Sequence, residues 1–232
     1  MSELRWHRFA DRNALDNALA DRVAGALEEG LLQRAAASLI VSGGSTPLGV
    51  FTQLGQRPIA WDQVRISLAD ERWVPGDHPD SNARLVRESL LQGTAASAEF
   101  IPLYTDGPSA QEAEAVVARR LGALETFDVV LLGMGGDGHT ASLFPGSSAL
   151  DRGLDLANRD PCIAVTPLHA PHDRMSLTLS RLIDTRTLIL HITGEEKRAV
   201  LEEAVASRDV QRWPVAALAM APLAQIEVYW AP

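Results

Sequence analysis

The sequence predicts an α/β fold: a single domain over residues 1–232, built as a three-layer, Rossmann-like sandwich with a mostly parallel sheet and helices on both faces. Two observations carry this prediction. Strand patterns alternate with helix patterns, which requires crossover connections between parallel strands. The run FDVVLL at residues 127–132 is nearly all apolar, as expected for a strand buried on both faces. No linker or low-complexity stretch divides the chain.

The elements alternate along the whole chain. Helix patterns cover residues 14–36, a segment beginning at Pro47, and residues 81–91, 109–124, 195–206 and 215–219, with a further helix start at 140–143. Strand patterns cover residues 38–41, 64–69, 100–103, 127–132, 162–165, 174–179, 187–192 and 226–230. Sites in such sheets form at the carboxyl ends of strands, so the turns after Val41, Leu68 and Leu132 are the candidates.

Composition narrows the classes of function. The net charge of −9 argues against binding to nucleic acid or membrane surfaces, because both are polyanions. The first residues carry no secretory signal, no apolar run reaches membrane-spanning length, and Cys162 has no disulfide partner. We therefore expect a cytoplasmic protein. The six histidines form no HxxxH or Cys/His ligand pattern, so we expect no catalytic metal and no cofactor.

The segment SGGSTP at residues 42–47 follows a strand and opens a helix. Ser45 or Thr46 suits the helix N-cap, and Pro47 suits the first helical position. Free backbone N–H groups and the helix dipole would attract a phosphate there, and the two glycines allow close approach. The same pattern also fits a tight capped turn with no ligand, and it lacks the spacings of a P-loop or a dinucleotide fingerprint.

The turn GMGGDGH at residues 133–139 contains an acid–base pair. The Asp137 carboxylate lies two positions before the His139 imidazole. The helix start predicted after His139 would keep this imidazole neutral and able to accept a proton from water. Asp137 either fixes the tautomer of His139 or contacts the substrate. An Asp-Gly turn with a capping histidine is the structural alternative, which the glycines and the preceding buried strand disfavour.

Three basic side chains complete the candidate site. Arg72, in the segment Asp70-Glu71-Arg72 at a strand end, suits a phosphate, a carboxylate or the oxyanion that forms when water attacks a carbonyl. An ion pair with Asp70 or Glu71 is the alternative. Lys197 is the single lysine in a chain that otherwise uses arginine, and it lies in the first turn of a helix. Arg174 begins a strand and either reaches the site or forms a salt bridge.

Five segments, in this order along the chain, together resemble the 6-phosphogluconolactonase family: VSGGSTP at 41–47, LADERWV at 68–74, GMGGDGHTASLFP at 133–145, RMSL at 174–177 and TGEEK at 193–197. The resemblance extends from the first predicted strand to the last helices. It implies hydrolysis of 6-phospho-D-glucono-1,5-lactone to 6-phosphogluconate, the second step of the oxidative pentose phosphate pathway, without metal or organic cofactor.

The resemblance also implies roles for the candidate residues. His139 would activate water, Asp137 would support His139, and Arg72 and Lys197 would hold the phosphate or the developing oxyanion. Further phosphate, sugar or substrate contacts are expected from six residues: Gly43, Gly44, Ser45, Thr46, Asp70 and Arg174. The expected partner is a small phosphosugar lactone, and the sequence is compatible with either a monomer or a homodimer.

Two other functions are compatible with parts of the pattern. Glucosamine-6-phosphate deaminase shares the fold, the phosphate loop and an Asp-Gly-His turn, but that family has a glutamate just before the proline that follows the histidine. Here that position is Phe144, which cannot relay a proton. A catalytically silent sugar-phosphate sensor would keep the phosphate loop and Lys197, but it has no reason to keep His139 beside Asp137.

Overall fold

The computed structural model describes residues 3–107, 109–221 and 225–232. Its strands are β1 Leu4–Arg8, β2 Ala37–Val41, β3 Val64–Leu68, β4 Asp70–Arg72, β5 Glu99–Ile101, β6 Phe127–Leu132, β7 Cys162–Val165, β8 Arg174–Leu177, β9 Thr185–Thr193 and β10 Ile226–Ala231. Its helices are α1 Arg12–Arg34, α2 Leu48–Leu54, α3 Asn82–Ser89, α4 Ala110–Leu121, α5 Leu150–Leu154, α6 Leu179–Leu182, α7 Glu195–Ser207 and α8 Ala216–Met220.

The central sheet is parallel throughout and has the order β1-β10-β9-β6-β2-β3-β5. This sheet, with helices packed against it, confirms the predicted α/β class. The chain builds outward from β2 through β3 to β5, and then crosses back to place β6 on the other side of β2. A crevice forms where the direction of winding reverses, so the turns after β2 and β6 flank it.

A second, antiparallel sheet joins β4, β8 and β7 in that order. The sequence predicts residues 70–72 as the end of the preceding strand, because three polar residues are too few to show a period. In the structure they form β4, whose Arg72 pairs with Arg174 of β8. Because β4 pairs with β8, the segment that follows β3 lies next to the turn that precedes β8.

Helix α1 shows how the sheet is covered. Its N-cap Asp11 accepts a hydrogen bond from the backbone N–H of Ala14 at 2.8 Å. Leu15, Leu19, Val23 and Leu27 recur every four residues and are fully buried, and the helix contacts β2, β6 and β10. Each such side chain contributes roughly 1.5–3 kcal/mol by leaving water. The helix therefore holds the two strands that border the crevice.

Two local predictions are wrong. No helix starts at residues 140–143: Ala141 has φ 48°, and Thr140 Oγ1 donates to the Gly133 carbonyl at 2.9 Å, which closes a turn. At α2 the residue in the cap position is Pro47, with helical angles and no side-chain cap, instead of Ser45 or Thr46. Because no helix starts after His139, the helix dipole that was expected to keep its imidazole neutral is absent from this position.

The buried hydrophobic residues form one cluster that extends from Leu15 to Ala231. Because this cluster includes residues from the whole length of the chain, we keep one domain over residues 1–232 as a proposal. Within the described ranges, no helix is both long and apolar enough to cross a lipid bilayer.

Candidate active site

A cavity of about 260 Å3 opens at the crevice between β2 and β6. Its walls come from the turns after β2, β4, β6 and β9, so segments far apart in sequence meet there. The lining residues are Ser42, Gly43, Gly44, Ser45, Thr46, Pro47, Asp70, Arg72, Asn82, Leu131, Leu132, Gly133, Met134, Gly135, His139, Ala141, His191 and Lys197.

The turn at residues 42–47 has a backbone that only small residues permit. Gly44 has φ 91°, in the region that favours glycine. A Cβ on Gly43 would lie 1.8 Å from Oδ1 of Asn82, whose amide donates to the Asp70 carbonyl at 2.9 Å. Asn82 thus packs closely against this turn while its amide is bonded to the first residue of β4. The Asp70 side chain accepts a hydrogen bond from the Ser142 hydroxyl at 2.6 Å.

His139 and Asp137 form a close pair. Nδ1 of His139 lies 2.5 Å from Oδ1 of Asp137, which also accepts the His139 backbone N–H at 3.2 Å. Burial raises the pKa of the Asp137 carboxyl, but the hydrogen bonds and charge of His139 outweigh it, so this pKa lies below its ordinary value. A Cβ on Gly135 would lie 2.2 Å from Cε1 of His139, so the turn needs glycine at this position.

Phe144 packs against the other side of this histidine. The two ring centroids are 4.4 Å apart, and the guanidinium of Arg174 lies 5.8 Å from the Phe144 ring centroid. An apolar ring therefore occupies the place next to His139 where a second acid would have to lie. Nε2 of His139 is left as the ring nitrogen that is free to exchange a proton with a ligand.

Arg72 lines the cavity, and a backbone carbonyl accepts a hydrogen bond from its guanidinium. Its Nη1 donates to the Asp80 carbonyl at 2.6 Å, and its buried Nε has no partner within the described residues. Glu71 does not pair with this guanidinium: its carboxylate accepts the backbone N–H of Arg72 at 2.8 Å and those of Asn82 and Ala83, both at 2.7 Å, and so caps α3. The ion pair weighed as an alternative for Arg72 is not found in the described ranges.

Arg174 is placed differently from the prediction. It is 5% exposed, its Nη2 donates to the Pro171 carbonyl at 3.0 Å, and it is not among the residues that line the cavity. Burial, and then the nearby charge of Arg72, lowers the pKa of Arg174. Neither a direct approach to the cavity nor a salt bridge is seen for it in the described part of the chain. Its role in substrate binding stays a prediction.

The β9 side of the cavity is electropositive. Burial lowers the pKa of Lys197, and the neighbouring charge of Arg12 lowers it further. Helix α7 begins after Gly194 without a side-chain cap, so its first N–H groups remain available to a ligand. Lys197 and a helix N-terminus at this wall, with the charge of Arg12 nearby, favour an anionic ligand, although Glu195 and Glu196 in the first turn offset part of the positive charge.

His191 lies on the same side and was overlooked in the sequence. It is 2% exposed, and neither ring nitrogen has a hydrogen-bond partner within the described residues. Burial, followed by the charges of Lys197 and Arg12, lowers its pKa to about 4. The sequence signal was a histidine inside the apolar run at residues 188–192, at the carboxyl end of a parallel strand. Asn82, another lining residue that the sequence analysis did not select, carries no comparable signal.

The family model described as Glucosamine-6-phosphate isomerases/6-phosphogluconolactonase matches residues 10–230. The chain belongs to this family. A 6-phosphogluconolactonase from Rhizobium meliloti (strain 1021) is 42% identical over 227 residues, which cover 97% of this chain and 98% of that protein. Another from Mesorhizobium japonicum is 44% identical over 228 residues, covering 98% and 95%.

A solved structure agrees with these relatives. The crystal structure of a 6-phosphogluconolactonase from Shewanella baltica OS155 superposes with a TM-score of 0.96 at 41% identity, and covers 99% of this chain and 98% of that one. The predicted resemblance to the lactonase branch of the glucosamine-6-phosphate isomerase/6-phosphogluconolactonase family is confirmed. Of the candidate residues, the structure places eight on the cavity wall: Gly43, Gly44, Ser45, Thr46, Asp70, Arg72, His139 and Lys197.

Proposed function

We propose that this chain hydrolyses 6-phospho-D-glucono-1,5-lactone to 6-phosphogluconate, the second step of the oxidative pentose phosphate pathway. One observation carries the proposal: the His139 imidazole lines a cavity that also holds Arg72 and Lys197, and Asp137 fixes its Nδ1 at 2.5 Å. A base, an oxyanion donor and an anion-binding wall are the three elements that hydrolysis of a phosphorylated lactone requires.

The reaction follows from these groups. Nε2 of His139 takes a proton from water as the water oxygen attacks the lactone carbonyl. Asp137 accepts the Nδ1 hydrogen, which holds the tautomer and stabilises the imidazolium. A guanidinium N–H of Arg72 donates to the oxyanion of the tetrahedral intermediate. The bond from the carbonyl carbon to the ring oxygen then breaks, and His139 returns its proton to that oxygen, which becomes a hydroxyl of the product.

The β9 side of the cavity suits the phosphate. Lys197, with the nearby charge of Arg12, supplies positive charge there, and from the β2 side of the same cavity the turn at residues 42–47 presents glycine backbone and the hydroxyls of Ser45 and Thr46. With the phosphate held there, Arg72 is left for the carbonyl. This division assigns Lys197 to phosphate and Arg72 to the oxyanion, roles that the sequence left open.

The side chain next to His139 disfavours deamination of glucosamine 6-phosphate as the function. Phe144 packs on His139 with ring centroids 4.4 Å apart, so no carboxylate relays a proton at that position. A silent sensor is disfavoured by the Asp137–His139 pair, since a carboxylate that orients an imidazole adds nothing to phosphate binding.

The test is to generate the lactone in place with glucose-6-phosphate dehydrogenase and to follow 6-phosphogluconate against a blank without enzyme. We expect wild type to accelerate ring opening, and His139→Ala to lose about 10^2- to 10^4-fold in kcat. His169→Ala, which removes an exposed histidine, is the matched control and should keep wild-type rates. If wild type matches the blank, the lactonase proposal is lost and glucosamine 6-phosphate is the next substrate to test.

We also propose the cytoplasm as the compartment. Cys162 is a free, buried thiol whose pKa is raised by burial to about 12, so it is a packing residue that needs no oxidising environment. Retention of activity after prolonged incubation with dithiothreitol would agree with this assignment.

A further inference from the structure

Three side chains that the proposed reaction does not use converge at the exposed rim beside Arg72. His78 and Asp80 lie in the segment between β4 and α3, and His172 lies in the turn before β8. Their ligand-type atoms, two imidazole nitrogens and one carboxylate oxygen, all lie within 4.8 Å of one another. In sequence His172 is 92 residues from Asp80, so no spacing pattern reveals the group.

The distances suit a shared ion. Nε2 of His172 lies 2.9 Å from Oδ2 of Asp80, and Nδ1 of His78 lies 4.0 Å from the same oxygen. Two ligands at about 2.0–2.2 Å from one metal ion are about 2.8 Å apart at a right angle and about 4.2 Å apart when opposite. Both separations from Asp80 fall inside that interval, and the two imidazole nitrogens, which lie within 4.8 Å of each other, would have to move slightly closer together on one ion. The imidazole rings are 5.3 Å apart and nearly perpendicular, so their nitrogens converge without stacking.

The backbone around the group is held in place. Asp80 N–H donates to Nδ1 of His78 at 3.1 Å, and His172 has φ 67°, in the left-handed region. The two segments are joined where Trp73 N–H donates to the Asp173 carbonyl at 2.7 Å, next to the β4–β8 pairing. A bound ion would displace the Asp80 N–H from Nδ1 of His78 and the direct His172–Asp80 hydrogen bond, and the Trp73–Asp173 bond would continue to join the two segments.

From this geometry we propose a transition-metal site formed by His78, Asp80 and His172. Two imidazoles with one carboxylate favour zinc, cobalt, nickel or copper over magnesium and calcium, which prefer oxygen ligands. All three side chains are partly exposed, so water completes the coordination. The ion would act as a clamp between two segments. Because the Asp80 carbonyl holds Nη1 of Arg72 at 2.6 Å, the clamp would also fix the side chain that, on the proposed function, donates to the oxyanion.

The binding test uses chelator-treated protein and zinc or nickel ions alone, titrated in a calorimeter in phosphate-free buffer. We expect one ion per chain, with affinity reduced at least about 10- to 100-fold by His78→Gln or His172→Gln. His169→Gln, an exposed histidine near the same turn, is the matched control and should bind as wild type does. Magnesium should not compete.

Two results would overturn the proposal. One is wild-type affinity that His78→Gln and His172→Gln leave unchanged; the other is loss of binding in His139→Gln alone, which would place the ion on the active-site pair. A second readout is thermal unfolding: at about one hundred times the Kd, the ion should raise the Tm by roughly 5 to 10 °C in wild type and not in His172→Gln. Neither measurement uses lactone, so the site stands or fails independently of the proposed hydrolysis.

Discussion

Two histidines line the same cavity in opposite surroundings. The His139 side chain is 29% exposed, and its Nδ1 is hydrogen-bonded to Asp137. His191 is 2% exposed and has no partner on either ring nitrogen within the described residues, and burial and two nearby cations hold it neutral. A place on the cavity wall therefore does not make an imidazole a base. A carboxylate partner and access to water do.

The largest expected effect comes from changing the partner of His139 while keeping its shape. Asp137→Asn should lower kcat by a factor on the order of 10^3 to 10^4, because the amide no longer holds the Nδ1–H tautomer or stabilises the imidazolium. Lactone hydrolysis, corrected for the blank, measures it. Asp137→Glu, which restores the charge, should recover part of the rate. An Asp137→Asn enzyme with near wild-type kcat would remove the distinction between the two histidines.

Arg72→Gln is expected to come next, with kcat reduced about 10^2- to 10^3-fold through loss of the oxyanion donor. The matched control is Arg84→Gln on α3, which removes an exposed guanidinium paired with Glu88. This control should leave kcat unchanged. If Arg72→Gln instead raises KM with kcat intact, Arg72 holds the phosphate and the assignment to Lys197 must be exchanged.

The pH dependence of stability tests the other histidine. The folded-state pKa of His191 is about 4, against an ordinary value of 6.5, so between these values the unfolded chain binds a proton that the folded chain does not. The part of the free energy of unfolding that depends on His191 is therefore present in full above pH 6.5 and is lost as the pH falls toward 4, because protonation then stabilises the unfolded chain. The loss amounts to about 3 kcal/mol.

We therefore expect His191→Leu to lose less stability than wild type between pH 7 and pH 4, by up to that amount. Urea unfolding at several pH values measures the difference, and His169→Leu should follow the wild-type curve. Parallel curves for wild type and His191→Leu would show that His191 exchanges protons as freely as an exposed histidine.

The smallest effect is expected at Phe144. Its ring contributes packing against His139, worth about 0.5–1.5 kcal/mol for a ring pair, so Phe144→Leu should reduce kcat/KM by roughly 2- to 12-fold. The same coupled assay measures it. A loss of more than about 100-fold would mean that the ring positions the base more strictly than its packing explains.

Much of the sheet could be predicted from the sequence, because parallel strands buried on both faces leave long apolar runs such as residues 127–132. The turns at residues 42–47 and 133–139 could be predicted as parts of the site for the same reason, because each comes directly after such an apolar run. Two strands of the small antiparallel sheet were predicted, at residues 162–165 and 174–179, but β4 was not, because it has three residues and two of them, Glu71 and Arg72, serve contacts that only the folded chain supplies.

The errors at the site have the same origin. The helix expected after His139 does not form, because the Thr140 hydroxyl donates to the Gly133 carbonyl and closes a turn instead. Residue types alone do not decide between these two local structures. His191 looked like an ordinary strand residue, since nothing in its neighbours announces that Lys197 and Arg12 come close to it. The group of His78, Asp80 and His172 likewise depends on the pairing of β4 with β8.

The edge of the large sheet has a consequence for how the protein is made. β1, near residue 4, takes its place beside β10, which begins at residue 226. At about 5–20 residues per second, a ribosome needs roughly ten to forty seconds between these two segments. β1 must therefore wait through this interval before its neighbour exists, and until then its backbone N–H and C=O groups lack the partners that β10 supplies.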